Sequence, residues 1–212
     1  MAVDARSAYL EVEDELRKHI AGKVDVIKLL FIALISNGHV LMEGVPGVAK
    51  TTMSKALADI MQADFKRVQC LPDLSPSDII GTVYVDESND LQLKKGPIFT
   101  NILLMDELNR APPRSMAAFL EALEERQVTI GGQDLMLPKP FMAIATQNPL
   151  RIEGTEPLPK VLADRFLMKI DVQYPSMDEE QQMLRLKEVE AKVTTQKLLT
   201  TQDILDMQAQ AA

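Results

Sequence analysis

The chain has 212 residues, of which 46% are hydrophobic and 25% are charged, a composition typical of a globular protein. Its net charge of −8 argues against a nucleic-acid groove over most of the surface, and no apolar run approaches the roughly twenty residues that cross a bilayer. A single cysteine, Cys70, excludes an internal disulfide, and the amino terminus has no apolar core of the signal-peptide type, so we expect a cytoplasmic protein.

Hydrophobic periodicity predicts two helices and then an alternation of strands and helices. The helices are expected at 9–19 and 24–36, the second ending at Asn37-Gly38. Short apolar runs bounded by turn residues predict five buried strands, at 39–42, 65–70, 102–105, 141–145 and 167–172. A helix is expected at 115–125, and turn residues predict two β-hairpin insertions, at 82–94 and 128–137. This alternation predicts an α/β fold with a central parallel sheet flanked by helices.

The pattern changes after Tyr174-Pro175. Helices are expected at 178–193 and 202–210, and no strand is predicted beyond this point. We therefore predict an α/β domain at 1–175 and the beginning of a second, all-helical domain at 176–212.

The segment between the first predicted strand and the next helix has the pattern of a phosphate-binding loop. It reads Gly44, Val45, Pro46, Gly47, Val48, Ala49, Lys50 and Thr51. The glycines allow a tight turn whose N–H groups approach oxyanions, and the helix that continues through Thr52 adds unpaired N–H groups and its positive dipole end. In such a loop Lys50 reaches the β- and γ-phosphates of a nucleotide, and the Thr51 hydroxyl binds Mg²⁺.

One position departs from the pattern G-x-x-x-x-G-K-[ST], which has glycine where this chain has Ala49. Alanine is the smallest possible change, and it is tolerated if φ is negative there, as at the start of a helix. The alternative interpretation of the segment is a Gly/Pro turn before a solvated lysine.

An apolar run at 102–105 leads directly into Asp106 and Glu107. Ligands of parallel α/β sheets bind beyond the carboxyl ends of the strands, so this pair is expected at the same edge as the phosphate loop. Asp106 would then bind Mg²⁺, directly or through water, and Glu107 would polarise the attacking water. The alternative is an acidic helix cap after a core strand.

The strand at 141–145 delivers a third polar group, Asn148, within Thr146-Gln147-Asn148-Pro149. An amide both donates and accepts hydrogen bonds without adding charge, so Asn148 could orient the hydrolytic water or contact the γ-phosphate. The alternative is an ordinary Asn-Pro turn.

Together these motifs resemble those of the MoxR family of AAA+ ATPases. The resembling segments are Gly-His-Val-Leu at 38–41 with the phosphate loop, Pro-Asp-Leu at 72–74 with Pro-Ser-Asp at 76–78, Lys-Gly-Pro-Ile-Phe at 95–99, Asp-Glu-Leu-Asn-Arg-Ala-Pro at 106–112, Glu-Glu-Arg-Gln-Val at 124–128, Ala-Thr-Gln-Asn-Pro at 145–149, Glu-Gly-Thr at 153–155, Leu-Pro at 158–159 and Asp-Arg-Phe at 164–166. Each segment is only moderately specific, but their joint order over about 20–175 is strongly specific.

The resemblance implies an AAA+ nucleotide-binding domain at 1–175 that binds ATP and Mg²⁺ and assembles into a ring, usually a hexamer, with ATP between subunits. Lys50 and Thr51 match the first nucleotide motif of the family, Asp106 and Glu107 match the second, and Asn148 matches its sensor.

The resemblance also assigns residues outside these motifs. Arg165 matches the arginine that reaches into the neighbouring subunit's site, although an ordinary surface arginine at a helix end is the alternative. Gln69 could hydrogen-bond Glu107 and hold it inactive. The family's adenine-contacting loop corresponds to Ile20, Ala21 and Gly22, followed by Lys23 where glutamine is more usual.

The two predicted hairpins match the insertions that face the ring's pore in this branch. Segment 176–212 matches only the beginning of the helical lid, whose second sensor arginine it does not include.

Three functions are compatible with these residues. The first is an ATP-driven, chaperone-like remodelling ring that matures partner complexes, because members of the family typically work with proteins carrying von Willebrand A-type domains. The second is a nucleic-acid motor, but the first hairpin's tip carries Asp86, Glu87 and Asp90, and a pore that grips DNA needs Lys or Arg there. The third is the ATPase subunit of a metal-chelating enzyme. We expect no DNA partner.

Overall fold

The computed structural model describes residues 4–18, 20, 22–45, 50–148, 157–174, 176–179, 181 and 195–211. Its helices are α1 Ala5–Arg17, α2 Val24–Ile35, α3 Lys50–Ile60, α4 Pro76–Ile80, α5 Pro113–Glu125, α6 Lys160–Ala163 and α7 Thr201–Ala211. Its strands are β1 Val40–Glu43, β2 Phe65–Gln69, β3 Gly81–Val85, β4 Leu91–Lys95, β5 Ile102–Asp106, β6 Gln127–Ile130, β7 Gln133–Met136, β8 Met142–Gln147 and β9 Met168–Asp171.

Five parallel strands form the central sheet, in the order β2-β5-β8-β1-β9. These are the five strands predicted from apolar runs, so the α/β fold with a central parallel sheet is confirmed. The ends of β1, β5 and β8 lie one or two residues beyond their apolar runs, because pairing continues into the polar residues there, whereas β2 and β9 are one or two residues shorter than predicted. In this way β5 includes Asp106, which pairs in register with Gln69 of β2.

The three inner strands β5, β8 and β1 are buried on both faces, which explains why they read as continuous apolar runs. On β5 the side chains alternate: Ile102 and Leu104 face a core with α1, α2 and α3, whereas Leu103 and Met105 face a core with α5 and the second hairpin. All four are fully buried. The sheet therefore forms the middle layer between two sets of helices.

Helix α1 begins four residues earlier than predicted. The Asp4 side chain accepts a hydrogen bond from the backbone N–H of Ser7 at 2.9 Å, which caps the helix and allows it to start at Ala5. Its buried face carries Val12 and Leu16.

Both predicted hairpins are present as separate two-stranded sheets, β3–β4 and β6–β7. They touch each other, because a Cβ on Gly131 would lie only 2.8 Å from Cγ2 of Val83. The hairpins therefore lie side by side on the α5 face of the protein.

The segment 195–211 packs against the first core rather than apart from it. Ile204 and Met207 of α7 are buried in the cluster formed by α1, α2 and α3, and Gln208 donates to the Leu34 carbonyl at 2.8 Å. Most of the predicted helix at 178–193 lies outside the described residues, and the division at 175 stays a prediction. Within the described ranges, no helix combines the length and apolarity needed to cross a membrane.

Candidate functional site

The carboxyl edge of the sheet gathers the predicted site residues from three neighbouring strands. Strand β5 ends at Asp106 with Glu107 next, β8 ends at Gln147 with Asn148 next, and β1 leads through Gly44 to α3. Because β8 lies between β5 and β1, its end separates the carboxylates from the loop by one strand spacing, roughly 4.8 Å on each side. This edge is where ligands of open α/β sheets bind.

Gly44 occupies a position that no other residue fits. Its N–H donates to the Gln147 carbonyl at 3.2 Å, and a Cβ here would lie 2.4 Å from the carbonyl oxygen of Val172. The loop can therefore leave β1 this close to its neighbours only with glycine. Four further predicted loop residues lie outside the described residues: Pro46, Gly47, Val48 and Ala49.

Lys50 begins α3, and its half-buried ammonium points back to the loop. Its Nζ donates to the carbonyls of Gly44 and, at 3.2 Å, Val45. Burial lowers the pKa of Lys50 below its usual value, and the negative charges of Asp106 and Glu107 oppose that shift. Thr51 is half-buried and Thr52 exposed in the first turn of the same helix, where N–H groups lack intrahelical partners. The arrangement combines a cation, two hydroxyls and a helix start.

The Asp106 carboxylate has a defined partner for each oxygen. Thr146 of β8 donates its hydroxyl to Oδ1 at 2.6 Å, and Arg67 of β2 donates Nε to Oδ2 at 3.0 Å. Arg67 Nη2 also forms an ion pair with Oδ2. Asp106 is thus fixed by the two strands on either side of β5.

Glu107 adopts a left-handed backbone conformation, with φ 57° and ψ 48°. Its N–H donates to the Thr146 hydroxyl at 2.9 Å, so one hydroxyl orients both acidic residues. Its Oε2 accepts hydrogen bonds from Gln69 Nε2 at 3.2 Å and from Arg110 Nη1 at 2.8 Å. The predicted contact between Gln69 and Glu107 is therefore present in the structure. A non-glycine residue with positive φ at such a place is a strained feature of the kind that clusters at functional sites.

Gln147 and Asn148 stand between the carboxylates and the phosphate loop. Gln147 donates to the Glu43 carboxylate at the end of β1, and Lys169 of β9 pairs with the same carboxylate at 2.6 Å. Asn148 follows Gln147 directly and is half-buried. The structure therefore places Asn148 at the predicted edge, next to the strand that carries Asp106.

The predicted adenine-contacting segment lies near the same edge. Ile20 is buried, and Gly22 has φ +67°, which favours glycine. Lys23 donates from Nζ to the carbonyl of Gln173 at 2.9 Å, just beyond β9, and lies 3.9 Å from Glu179. This lysine links the segment to the chain that leaves the sheet. Ala21 lies outside the described residues.

Arg165 does not belong to this cluster of site residues. It precedes β9, whose Met168 pairs with Val40 at the start of β1, so it lies at the amino edge of the sheet. Its Nη2 pairs with Glu124 at 3.0 Å. Its Nε is buried and has no hydrogen-bond partner within the described part of the chain.

The donor set fits a nucleotide with Mg²⁺. Mg²⁺ is usually held by one or two carboxylates together with phosphate oxygens and water. The described residues contain no cluster of three His, Cys, Asp or Glu side chains that could bind a metal without such help. Asp106 and the Thr51 hydroxyl supply oxygens of the kind that Mg²⁺ prefers, and Lys50 supplies a cation for phosphate.

Three residues of the site were not assigned to it from the sequence. Arg67 and Arg110 bind the two carboxylates, and Thr146 bridges them. The position of Arg67 two residues before Gln69 on one strand was a usable signal, because such residues share a face. Its pairing with Asp106 depends on strand register, which the sequence does not reveal.

A parallel five-stranded sheet with a lysine at the start of the helix after β1 and paired carboxylates at its carboxyl edge defines the fold of the phosphate-loop nucleoside triphosphatases. The model of the "ATPase family associated with various cellular activities (AAA)" matches residues 39–168. Chaperone MoxR1 of Mycobacterium tuberculosis is 43% identical over 93% of this chain and 52% of its own length. Protein MoxR of Methylorubrum extorquens is 33% identical over 82% of this chain and 52% of its own length. The chain belongs to the MoxR family of AAA+ ATPases.

A solved structure is similar throughout. The crystal structure of a candidate ATPase from Cytophaga hutchinsonii superimposes with a TM-score of 0.87 at 41% identity, covering 97% of this chain and 63% of that one. The chain thus spans about half to three fifths of the length of the proteins it matches.

Proposed function

We propose that the protein hydrolyses ATP with Mg²⁺ and uses the cycle to remodel partner proteins as a chaperone-like ring. The observation that carries this proposal is the convergence of Lys50, Asp106, Glu107 and Asn148 at one edge of the sheet. Each group has the chemical character that one part of phosphoryl transfer to water requires.

In the proposed reaction Lys50 binds the β- and γ-phosphates, and Asp106 and Thr51 hold Mg²⁺. The metal, when bound, neutralises charge on the phosphate oxygens. Val45, Thr52 and the loop N–H groups cradle the phosphates at the start of α3, and the segment from Ile20 to Gly22 contacts adenine. To bind the phosphates, the Lys50 ammonium must leave the loop carbonyls. It then exchanges their weak dipoles for the full charge of the phosphates.

Glu107 is the proposed general base that aligns the attacking water, and Asn148 orients that water or the γ-phosphate. Gln69 and Arg110 hold Oε2 of Glu107, and we propose that the carboxylate turns towards the water once one of these contacts breaks. The observed arrangement therefore corresponds to a resting site, and the proposal includes a change at Glu107 before hydrolysis.

The active form is proposed to be a ring, as a hexamer, in which Arg165 completes the neighbouring site. Four strand residues at about 3.3 Å each separate the amino edge, where Arg165 lies, from the loop after β1, so the arginine is roughly 13 Å or more from its own phosphate site. That separation supports action on a neighbour.

Proteins carrying von Willebrand A-type domains are the proposed clients. The name of the similar Mycobacterium tuberculosis protein, a chaperone, supports a protein client, as do the exposed hairpins with an acidic first tip. The second candidate, a nucleic-acid motor, would require cations at the hairpin tips. A chelatase subunit has the same architecture and would differ in its client. The lone, buried Cys70 is compatible with the proposed cytoplasmic location.

The experiment that tests the proposal separates binding from chemistry. Glu107→Gln keeps the size of the side chain but removes the carboxylate, so we expect ATP affinity close to that of the unchanged protein and a turnover lower by about 10²–10⁴-fold. Glu11→Gln, on the exposed side of α1, is the matched control and should leave both values unchanged. Unchanged turnover in Glu107→Gln would show that Glu107 is only a cap of the turn.

The same variant tests the client. Held with bound ATP, Glu107→Gln should retain its partner, and mass spectrometry of material captured from the native cell should find a von Willebrand A-type protein. Capture of nucleic acid instead, sensitive to nuclease, would favour the motor.

A further inference from the structure

Two residues of the edge strand β2 connect the paired carboxylates through side chains. Arg67 and Gln69 are two positions apart and so lie on one face of the strand. Gln69 pairs in register with Asp106, which puts Arg67 on the diagonal neighbour of that aspartate. The side chains of Arg67 and Gln69 therefore lie next to the two carboxylates of the candidate site.

The contacts form a continuous chain from Asp106 to Glu107. Arg67 Nε donates to Asp106 Oδ2 at 3.0 Å, and Arg67 Nη2 donates both to that oxygen and, at 2.6 Å, to Gln69 Oε1. Gln69 Nε2 then donates to Glu107 Oε2 at 3.2 Å. Since the amide oxygen accepts from the guanidinium, its NH₂ group must face the glutamate. Arg67 thereby sets the orientation of Gln69.

The two ends of the Arg67–Asp106 pair differ in exposure. The Arg67 side chain is 47% exposed, whereas that of Asp106 is 14% exposed and fixed on its other oxygen by Thr146. The arginine can therefore leave into solvent while the carboxylate stays in place. A divalent cation on Asp106 would compete for the same Oδ2 lone pairs.

We infer that Arg67 is a positioning residue that holds Asp106 in the place of the divalent cation and, through Gln69, holds Glu107. This inference rests on the proposed function, in which Asp106 is a metal ligand and Glu107 the base. Arrival of the cation displaces the guanidinium, Gln69 loses the partner that orients it, and Glu107 keeps only Arg110. With the metal in place the base would be held by one side-chain contact fewer, which favours hydrolysis at a completed site.

The first test is the affinity of the ADP-bound protein for Mn²⁺, measured from the electron paramagnetic resonance signal of free Mn²⁺. Arg67→Ala should bind Mn²⁺ about two- to fivefold more tightly, the range expected for a lost competitor in a partly exposed ion pair. Lys66→Ala removes the same charge from the neighbouring, exposed position and should leave the affinity unchanged. Arg67→Lys should tighten binding by less than Arg67→Ala, because lysine keeps a cation near Asp106 but lacks the two donors that bind Oδ2.

The second test exploits Gln69, whose side chain hydrogen-bonds Arg67 and Glu107. Gln69→Ala removes the acceptor that helps to hold Arg67, so it should tighten Mn²⁺ binding as well, by less than Arg67→Ala. The double variant should bind no more tightly than Arg67→Ala alone, because Gln69 acts only through the arginine. In steady-state ATP turnover by Arg67→Ala, the Mg²⁺ concentration that gives half of the maximal rate should fall by the same factor as the Mn²⁺ dissociation constant. The value of kcat at saturating Mg²⁺ should change by less than about twofold, because in the unchanged protein Arg67 has by then already left Asp106.

An unchanged Mn²⁺ affinity in Arg67→Ala, in a protein that still binds ADP, overturns the inference and leaves the proposed function standing. Equal tightening in Lys66→Ala also overturns it, since the effect is then one of general charge. If ADP and ATP do not bind at all, the proposed function fails first. Arg67→Gln serves as a second variant should Arg67→Ala unfold.

Discussion

The guanidinium of Arg165 pairs with the carboxylate of Glu124 at 3.0 Å, at the edge of the sheet opposite to Lys50. Glu124 stands in the last turn of α5, and both side chains are more than a third exposed. Ion pairs this exposed stabilise a fold by about 0–1 kcal/mol, so the pair does not commit Arg165 to a structural role.

Arg165→Ala and Glu107→Gln are each expected to bind ATP and to hydrolyse almost none. An arginine acting in trans typically contributes on the order of 10³–10⁵ in rate, so the loss should be nearly complete. Mixing the two variants creates interfaces where an intact Glu107 faces an intact Arg165, and ATP turnover should recover as a bell-shaped function of the mixing ratio.

Glu124→Gln is the control for this experiment, because it removes the ion pair but keeps the arginine. Its turnover should remain within a few-fold of the original. Mixtures that stay inactive while labelled subunits exchange would mean that Arg165 acts within its own subunit or structurally.

Lys50→Ala is expected to abolish ATP binding, because the ammonium is the cation of the phosphate site. Titration with a fluorescent ATP analogue measures this directly. Lys55→Ala lies on the same helix, where Lys55 is exposed and pairs with Asp59 at 3.1 Å, and it should bind normally. Affinity retained within a few-fold in Lys50→Ala contradicts the phosphate-loop assignment.

His39 predicts a specific dependence of stability on pH. It is 2% exposed, its Nδ1 accepts from the Ala143 N–H at 2.9 Å, and its Nε2 lies 3.2 Å from the Leu123 carbonyl. Burial, together with the nearby charge of Arg126, lowers its pKa to about 3. The unfolded chain takes up a proton near pH 6.5 and the folded one does not, so this stability is present above pH 6.5 and is lost as the pH falls towards 3.

Urea unfolding between pH 7 and pH 5 should show the free energy of unfolding decreasing, with a slope approaching about 1.4 kcal/mol per pH unit below pH 6. His39→Gln can still donate and accept at this position but does not titrate, so its slope over the same interval should be smaller by that amount. Equal slopes for the two proteins would mean that His39 is protonated in the folded state.

DNA should not stimulate ATP turnover. The tip of the first hairpin carries Asp86, Glu87 and Asp90, and the tip of the second consists of Gly131 and Gly132. Neither offers the cations that neutralise phosphates. Single- and double-stranded DNA, added at physiological salt, should leave the rate unchanged, and a stimulation of several-fold would favour the motor.

The three inner strands β5, β8 and β1 were predictable because they are buried on both faces. The run from Ile102 to Met105, fully buried in the structure and bounded by Asn101 and Asp106, is typical of a central parallel strand. The edge of the sheet that carries the site followed from the parallel arrangement alone. The start of α1 was missed because Asp4 acts as a cap through one side-chain contact that periodicity does not record.

The connections within the site were less predictable. Gln69 was expected near Glu107 from resemblance, but Arg67 and Arg110 were not assigned, because exposed arginines are common and their partners depend on register and on a left-handed turn at Glu107. Arg126 is a similar case. Its guanidinium donates to the carbonyls of Asn37 and Phe141, distant in sequence, and no local pattern indicates those partners.

Helix α5 begins three residues after the Leu108–Arg110 turn, and its far end leads into the second hairpin, which touches the first through Gly131 and Val83. Thirteen helical residues at about 1.5 Å each make a rod roughly 20 Å long. Such a rod works as a lever: a tilt of about 5° at its start, within the range of small helix shifts, would displace its far end by about 1.7 Å. Because Gly131 of the second hairpin lies against Val83 of the first, a displacement of the second hairpin would also press on the first.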